Sequence, residues 1–447
     1  MTGENKRVAI IGAGAAGIIC CKRFIDDGYN VTVFEQTEQV GGTWVYREEV
    51  GENVHSSMYK NLKTNLARQS MGFLNFPFPH EYPTFMHHSH VLEYLQSFAE
   101  SQNLLPCINF NAKVLEILPE DSENPLSGGW NLTWESLLDG SVKAEKFDFI
   151  SICNGHYAFP HIPEIKGIAN FKGKIIHSHD YRENVPFTNQ SVVIVGSAFS
   201  GMDIANEIKE VAKKVHICQR KNYQMNTPGS RVVYHNNLVL IDNRGYLTIE
   251  NEEEKLDEID SIIFCTGYEY KYPFIDSTKV PIFFKYKRVC NLYLHMLPFN
   301  RFHPEFSSEF PIQHPPTIAF IGLPWRVVPF PLFDYQVQFI AKLWKKECQL
   351  PTPEKIKQSK LDEKQRLKEN NLAAHYRHMV GDMQFQYCSL LKSMAPSIIE
   401  ADLTKASKIT EATSIIRQED PDYKSRELVE EDGTYKFVPK SDRCEIN

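Results

Sequence analysis

The sequence predicts an α/β protein with two similar βαβ units, the second inserted into the domain that the first begins. Two segments of the 447 residues repeat one order of elements: an apolar strand, a glycine-rich turn, a helix and a second apolar strand. Each segment has roughly the 30 residues of such a unit. A later apolar strand, residues 317–321, ends in Gly322 and is interpreted as the return of the chain to the first domain.

The first unit begins with strand Arg7–Ile11 and ends with a strand at 31–35. In the turn between the first strand and the helix, Gly12 permits a tight bend and Gly14 lets backbone N–H groups approach a pyrophosphate. Gly17 allows the helix to pack closely on the strand, and the helix N-terminus adds a partial positive charge. This pattern predicts a Rossmann-like dinucleotide site.

Glu35 stands at the end of the second strand, where a carboxylate accepts hydrogen bonds from a ribose 2′-OH. Because a carboxylate disfavours a 2′-phosphate, this site suits FAD or NAD. Six residues later, paired glycines can let the backbone pass close to a cofactor, and Trp44 packs either against a flavin or in the core. The predicted contacts of the first cofactor are Gly12, Ala13, Gly14, Ala15, Ala16, Gly17, Glu35, Gly42, Thr43 and Trp44.

The second unit runs from strand Ser191–Val195 to a strand at 214–219. Ala198 replaces the middle glycine of its turn, so a methyl group would crowd a pyrophosphate slightly. The second strand ends without an acid and continues into Arg220-Lys221, and a guanidinium there is how a site accepts the 2′-phosphate of NADP. The alternative is a solvated basic pair. The predicted NADPH contacts are Gly196, Ser197, Ser200, Gly201, Met202, Asp203 and Arg220.

The remaining pattern sets the predicted domain boundaries. Two short apolar runs, at 149–155 and 262–268, each indicate a buried parallel strand that ends in a glycine turn. Residues 351–371 predict a charged surface helix. We therefore expect the first part of an FAD-binding domain at 1–165, an inserted NADPH-binding domain at 166–305, and the second part of the FAD domain, with a C-terminal helical tail, at 306–447.

Composition excludes several classes of protein. The formal net charge of −7, without a basic stripe, gives no sign of a nucleic-acid partner. No run approaches the ~18 apolar residues of a membrane span, and no apolar secretory signal follows Met1. The cysteines are spread singly apart from Cys20-Cys21, which favours a cytoplasmic protein, or a secreted one whose signal has been removed. No metal is predicted, because His80, His87, His88 and His90 lack a repeating ligand interval and indicate a loop and helix start.

Two dinucleotide sites in one chain indicate that a hydride passes from a nicotinamide to a flavin. Disulfide reductases pass the electrons on to a cysteine pair, and the sequence contains no C-x-x-C motif. Molecular oxygen is then the expected acceptor.

Several motifs together resemble the flavin-containing monooxygenase family. Phe171, Gly173, His177 and Tyr181 match the family signature F-x-G-x-x-x-H-x-x-x-[YF] just before the second glycine turn. The run at 264–268 resembles the family's F-A-T-G-Y, and the run at 41–44 resembles its G-G-x-W. The short length, without a C-terminal membrane helix, is more similar to insect and other soluble members, such as alkaloid N-oxygenases, than to microsomal ones.

The resemblance implies a mechanism. NADPH would reduce FAD, O₂ would add to the flavin as a C4a-hydroperoxide, and a tertiary amine or a sulfide would take the distal oxygen. Residues 63–66 resemble the segment that carries the family's active-site asparagine, which makes Asn65 the predicted catalytic group. Its neighbours Thr64 and Leu66 are predicted cofactor contacts. The signature itself is interpreted as structural, so His177 is not assigned as an acid or base.

Three other interpretations stay open at this point. A Baeyer–Villiger monooxygenase would use the same cofactors on ketones, although Tyr181-Arg182 differs from the Trp-Pro or Trp-Asp ending of that branch. An uncoupled NADPH oxidase would release only hydrogen peroxide. A non-catalytic flavoprotein scaffold would bind FAD without being reduced by NADPH.

Overall fold

The computed structural model describes residues 6–51, 54–220, 229–285, 287–299 and 315–440. The helices of these residues are α1 (Ala15–Asp26), α2 (Arg68–Met71), α3 (His88–Ser101), α4 (Phe199–Ile208), α5 (Pro329–Trp344), α6 (Pro353–Glu369), α7 (Gln384–Met394) and α8 (Leu403–Glu419). The strands are β1 (Arg7–Ile11), β2 (Asn30–Phe34), β3 (Ile108–Asn109), β4 (Ala112–Pro119), β5 (Trp130–Ser136), β6 (Val142–Phe147), β7 (Phe149–Ile152), β8 (Lys174–His177), β9 (Ser191–Val195), β10 (Lys214–Cys218), β11 (Val232–His235), β12 (Leu238–Ile241), β13 (Leu247–Ile249), β14 (Ser261–Phe264), β15 (Leu292–Tyr293), β16 (Leu297–Pro298), β17 (Ile318–Phe320), β18 (Arg426–Glu431) and β19 (Thr434–Pro439).

The described residues form two compact units, and the chain passes between them more than once. The first unit comprises Met1–Trp44, Lys63–His156 and Tyr270–Asn447, and the second comprises Val45–Leu62 and Tyr157–Glu269. Each unit contains one glycine turn and one parallel sheet. The predicted α/β class, with one such unit inserted into the other, is confirmed.

The observed boundaries differ from the predicted insertion at 166–305. Tyr270 and Phe274 are buried in a core cluster of the first unit, so the second unit ends before them. Residues 45–62 join the second unit, where Tyr59 is part of the core. Neither stretch has a repeating apolar pattern, and therefore nothing in the sequence assigns it to one unit or the other.

The first unit contains a five-stranded sheet in the order β17-β7-β1-β2-β3, in which every pairing is parallel. Val8 and Ile10 of β1 face a core that also contains apolar side chains of α1, α3 and α5. Ala9 and Ile11 face the opposite core, which is shared with the antiparallel sheet β4-β5-β6. Because both faces are covered, the strands are continuously apolar rather than alternating.

The second unit contains a similar five-stranded sheet in the order β11-β10-β9-β14-β8, again with every pairing parallel, although its outer strand β8 precedes β9 in the chain. Val192 and Ile194 of β9 face the core on the α4 side, and Val193 and Val195 face a core that includes the β12–β13 hairpin. In both sheets the strand before the glycine turn is central. The carboxyl ends of such strands are where α/β sheets bind ligands.

The C-terminal part differs from the predicted helical tail. Helices α5 to α8 are followed by the antiparallel hairpin β18–β19. Asp432 and Gly433 form its two-residue turn with positive φ at both positions, 49° and 71°. An Asp-Gly pair is a strong hairpin signal, but the polar, acidic composition of the tail obscured it. Within the described residues, no helix is long and apolar enough to cross a membrane.

Candidate functional site

The first glycine turn joins β1 to α1, and two of its glycines leave no room for a side chain. Gly12 has φ of +102°, and a Cβ on it would lie 2.7 Å from the carbonyl oxygen of Cys153. A Cβ on Gly17 would overlap the carbonyl oxygen of Gly12. Gly14 differs, because its φ is −73° and a Cβ there would come no closer than 3.6 Å to its nearest neighbour, the Cα of Gly42. The N–H groups of the following first helical turn, which lack intrahelical partners, belong to Ala15, Ala16 and Gly17.

The second glycine pair lies against the first glycine turn, a contact that the sequence did not predict, and its predicted approach to a cofactor stays a prediction. The N–H of Gly41 donates to the carbonyl oxygen of Ala13 at 3.2 Å. A Cβ on Gly42 would lie 3.0 Å from the Cα of Gly14, so the two backbones are in direct contact. Thr43 and Trp44 complete a short 3₁₀ helix, and the Trp44 ring lies edge-on to Phe330 at 6.3 Å. Trp44 thus has a packing partner in the core, and its contact with a flavin stays a prediction.

Glu35 follows β2 and is brought to the glycine turn, as its position in the sequence indicated. One carboxylate oxygen accepts the N–H of Ala13 at 2.7 Å, and the other accepts the N–H and the hydroxyl of Thr37, both at 2.8 Å. Glu35 is buried, with 6% of its surface exposed. A carboxylate offers about four acceptor positions, so one remains for a ribose hydroxyl. The Ala13 N–H, in contrast, is already used within the chain.

A cluster of thiols lies beneath the first turn and was not foreseen, because its members are far apart in sequence. The Sγ atoms of Cys20 and Cys153 are 3.6 Å apart, and the hydroxyl of Ser151 is within 3.6 Å of both. Both cysteines are buried, and burial raises the pKa of the Cys20 thiol well above its usual value. A raised pKa makes the Cys20 thiol a poor nucleophile at neutral pH, and both cysteines pack in the core beneath the turn.

The second glycine turn is constructed like the first. Gly196 has φ of +110°, and a Cβ on it would lie 2.5 Å from the carbonyl oxygen of Cys265. A Cβ on Gly201 would overlap the carbonyl oxygen of Gly196. Ala198 caps α4 with φ of −78° and ψ of −172°, which are close to the −73° and −172° of Gly14. The alanine therefore keeps the backbone of the first turn and adds only a methyl group.

The other predicted residues of the second site fall into two groups. Met202 packs against the core of the second unit, and Asp203 accepts a hydrogen bond from the hydroxyl of Tyr59 at 3.1 Å. These two side chains have structural partners within the chain. Ser200 is exposed at the start of α4, and Arg220 is exposed just beyond the end of β10. Among the predicted NADPH contacts, three residues in the turn or after it are accessible to solvent: Ser197, Ser200 and Arg220. Lys221 lies outside the described residues.

Asn65 lies in a bend between β-bridge residue Lys63 and helix α2, and it is half-buried. Its side-chain oxygen accepts a hydrogen bond from the hydroxyl of Tyr423 at 3.0 Å. The neighbouring Thr64 is buried and ties the bend to Met86: its N–H donates to the Met86 carbonyl at 2.8 Å, and its hydroxyl accepts the Met86 N–H at 3.0 Å. Leu66 packs on the same core cluster as Trp44.

The F-x-G-x-x-x-H-x-x-x-Y signature forms the β8 edge of the second sheet and the turn that follows it. A Cβ on Gly173 would overlap the carbonyl oxygen of Asp260, which requires glycine there. Tyr181 is buried in the core of the second unit. The next residue, Arg182, is also buried, and its guanidinium donates to backbone carbonyls of the 45–62 segment and of its own turn. The structural interpretation of this signature agrees with these contacts.

Comparison with known families identifies the chain. A model of the flavin-binding monooxygenase-like family matches residues 5–251 and 239–405, which is most of the sequence. The chain belongs to this family. As a monooxygenase of this kind it is a flavoprotein that uses FAD and NADPH, in agreement with the two glycine turns.

The monooxygenase is similar over nearly its whole length to proteins of known name. It is 34% identical over 415 residues to flavin-containing monooxygenase FMO GS-OX-like 4 of Arabidopsis thaliana, which is 87% of either chain. Among solved structures, an S-allyl-L-cysteine S-oxygenase from Allium sativum superimposes with a TM-score of 0.82 at 31% identity and 95% coverage of both chains. Tmm from Pelagibacter sp. strain HTCC7211 shares the fold, with a TM-score of 0.79 at 22% identity.

The first turn of the monooxygenase fits a bound FAD. Gly14 has a negative φ and ordinary clearance, so the chain itself does not require a glycine at this position. A cofactor pyrophosphate that approaches the backbone does require it. Together with the remaining acceptor position of Glu35, this clearance matches the needs of a dinucleotide.

Proposed function

We propose that this enzyme transfers one atom of O₂ to a soft nucleophile, with small organic sulfides as the first substrate class and tertiary amines as the second. The observation that carries the choice of sulfides is the 31% identity, over 95% of both chains, with an S-allyl-L-cysteine S-oxygenase. The observed construction of the two glycine turns supports the use of both cofactors.

Each cofactor has a set of residues proposed to hold it. The N–H groups of Ala15 and Ala16 would bind the FAD pyrophosphate, and Glu35 would accept the ribose hydroxyl. Ser200 and the N–H groups at the start of α4 would bind the NADPH pyrophosphate, and Arg220 its 2′-phosphate. NADPH supplies the reducing equivalents, and the reduced flavin supplies the activation of O₂.

Asn65 is the chain's proposed contribution to oxygen transfer. A neutral amide donates hydrogen bonds without delivering a proton, so it can hold a reactive oxygen species without destroying it. Within the described residues the Asn65 oxygen accepts a hydrogen bond from Tyr423, whereas its NH₂ group donates to no acceptor. The NH₂ group is therefore the end of the side chain that we assign to the cofactor or the reacting oxygen.

Product analysis tests the proposed reaction. Purified enzyme with NADPH and O₂ is given a thioether, a tertiary amine or cyclohexanone, and the product and hydrogen peroxide formed per NADPH are measured. We expect a sulfoxide or an N-oxide in near-stoichiometric yield. A lactone from cyclohexanone would indicate a Baeyer–Villiger enzyme, and peroxide alone an oxidase. Either result would overturn the proposal.

Replacing Asn65 separates oxygen transfer from flavin reduction. We expect Asn65→Ala and Asn65→Asp to bind FAD and to be reduced by NADPH at near-normal rates, but to form less product and more peroxide per NADPH. Asn65→Asp keeps an acceptor oxygen for Tyr423 and replaces the NH₂ donor with a charged carboxylate oxygen, so it tests the donor while Asn65→Ala controls for the added charge. Unchanged coupling in both variants, with a lower melting temperature in Asn65→Ala, would limit Asn65 to a structural role.

A further inference from the structure

The segment that follows helix α8 is anchored on the loop that contains Asn65. Tyr423 is 8% exposed, and its hydroxyl donates to the Asn65 side-chain oxygen at 3.0 Å. The Tyr423 ring lies edge-on to Phe85, with 5.0 Å between the centroids. Next to it, the Lys424 ammonium donates to the Lys63 carbonyl at 3.1 Å.

The hairpin β18–β19 contacts the neighbouring residues Thr84 and Phe85. Glu427, which is buried, accepts hydrogen bonds from the hydroxyl of Thr84 at 2.9 Å and from its N–H at 3.3 Å. Phe437 of β19 stacks on Phe85 at 5.7 Å. Residues 84–86 are in turn hydrogen-bonded to Thr64, as described above. The bend at 63–66 is thus held by the 84–87 segment and by Tyr423 and Lys424, in the turn that precedes the C-terminal hairpin.

This arrangement decides which way the Asn65 amide points. An asparagine side chain has two orientations that exchange its oxygen and its NH₂ group, and they differ in energy only through their partners. A phenol is a better donor than acceptor, so its O–H favours the amide oxygen. With the oxygen on Tyr423, the NH₂ group is the end of the amide that does not meet the Tyr423 hydroxyl.

We propose that Tyr423 is a positioning residue for oxygen transfer, and that the C-terminal hairpin acts through it to hold the Asn65 NH₂ group in place. The inference rests on the function proposed for Asn65. It assigns a role in the reaction to a segment that is more than 350 residues from Asn65 in the sequence.

Tyr423→Phe tests this role because it keeps the ring on Phe85 and removes only the hydroxyl. We expect unchanged FAD content and flavin reduction by NADPH, and a ratio of product to peroxide that falls roughly two- to tenfold, the range for loss of one neutral hydrogen bond. Tyr435→Phe is the matched control, since it removes a hydroxyl from the hairpin that follows Tyr423, at a position that does not contact Asn65. It should leave the ratio unchanged.

The double variant distinguishes the possible failures. Because Tyr423 acts through Asn65, Asn65→Ala with Tyr423→Phe should give the same product ratio as Asn65→Ala alone. Further uncoupling in the double variant would overturn the positioning role. If Asn65→Ala uncouples the enzyme and Tyr423→Phe only lowers its melting temperature, the positioning role fails while the proposed role of Asn65 stands. If Asn65→Ala leaves coupling intact, the role proposed for Asn65 fails first.

Discussion

At the scale of single residues, the glycines of the first turn are required for two different reasons. Some make room for the protein's own backbone, and one makes room for the cofactor. Gly12 and Gly17 are required because the carbonyl oxygens of Cys153 and Gly12 occupy the places where a Cβ would stand. Gly14 has no such neighbour. Ala198 already occupies the equivalent position of the second turn with the same backbone angles.

Gly14→Ala should therefore weaken FAD binding without weakening the fold. We expect the free energy of unfolding of the apoprotein to change by less than about 1 kcal/mol, because no backbone contact is lost. The affinity for FAD should fall because the methyl group meets the pyrophosphate. Titration of the apoprotein with FAD measures the affinity, and Gly17→Ala is the contrasting variant, which should unfold or fail to accumulate. An unchanged FAD affinity in Gly14→Ala would contradict the assignment.

Arg220 carries the predicted preference for NADPH over NADH. Removing one charge-assisted contact to the 2′-phosphate costs about 1.5–3 kcal/mol, so Arg220→Ala should weaken NADPH binding roughly ten- to over a hundredfold and NADH binding hardly at all. Arg231→Ala removes another exposed arginine of the same unit, at the base of β11, and is the control. Stopped-flow reduction of the flavin at varied NADPH and NADH gives both affinities. Equal losses for the two cofactors would make Arg220 a structural residue.

At the scale of elements, a buried ion pair joins three segments of the first unit. Asp334 of α5 is fully buried and receives Nε of Arg23, on α1, at 2.7 Å. Its other oxygen accepts a second Arg23 N–H at 2.8 Å and the backbone N–H of Leu74 at 3.1 Å. The carboxylate thus links two helices to the loop that follows α2.

Asp334→Asn should destabilise the enzyme strongly, because Arg23 would lose its buried ionic partner and keep only the more exposed Asp26, 3.7 Å away. Breaking one side of such a pair costs about 3–5 kcal/mol of unfolding free energy. Asp26→Asn is the control: it removes the other partner of the same Arg23, and because the Asp26 side chain is 41% exposed, the expected change is about 0.5 kcal/mol or less. Chemical denaturation of both variants measures the difference. Similar small changes of unfolding free energy in both variants would show that Asp334 does not stabilise the contact between these segments.

Elements with a repeating apolar pattern could be predicted from the sequence, and contacts between distant polar residues could not. Strand Ser191–Val195 was predicted at its observed bounds, since five consecutive apolar or small residues precede a glycine turn. The hydrogen bond from Tyr423 to Asn65 has no sequence signal, because a tertiary contact between two polar side chains leaves no periodicity. The same is true of the thiol pair at Cys20 and Cys153.

At the scale of the whole molecule, buried histidines couple stability to pH. In the second unit, Nδ1 of His216 is 2.9 Å from Nε2 of His235, whose Nδ1 is 2.8 Å from a Glu252 oxygen. A carboxylate only accepts, so His235 donates to it and accepts the proton of a neutral His216. Burial, with smaller effects of His235 and Lys214, lowers the pKa of His216 to about 4.

Stability should fall as the solution is acidified below the ordinary histidine pKa of about 6.5. The unfolded chain takes up a proton near that pH, whereas folded His216 does so only near its pKa of about 4, so its contribution is present above pH ~6.5 and is lost towards pH 4. The unfolding free energy of the parent enzyme should decrease between pH 7 and pH 5. In His216→Gln this decrease should be smaller by about 1–2 kcal/mol. His80→Gln, at a side chain that is 96% exposed, should leave the difference unaltered. An identical pH dependence in all three proteins would contradict the assignment.

The order of strands in the first sheet has a consequence for the way the protein is made on the ribosome. Strand β7 is complete at Ile152, but its outer neighbour β17 begins only at Ile318. At the usual 5–20 residues per second, the nascent chain carries β7 as an open edge for roughly 10–30 s while the second unit is synthesised. An open strand edge can pair with another chain. Chaperones are therefore most needed against aggregation of the nascent chain during this interval. For the same reason, a fragment intended to represent the first unit must extend past Phe320 to close its own sheet.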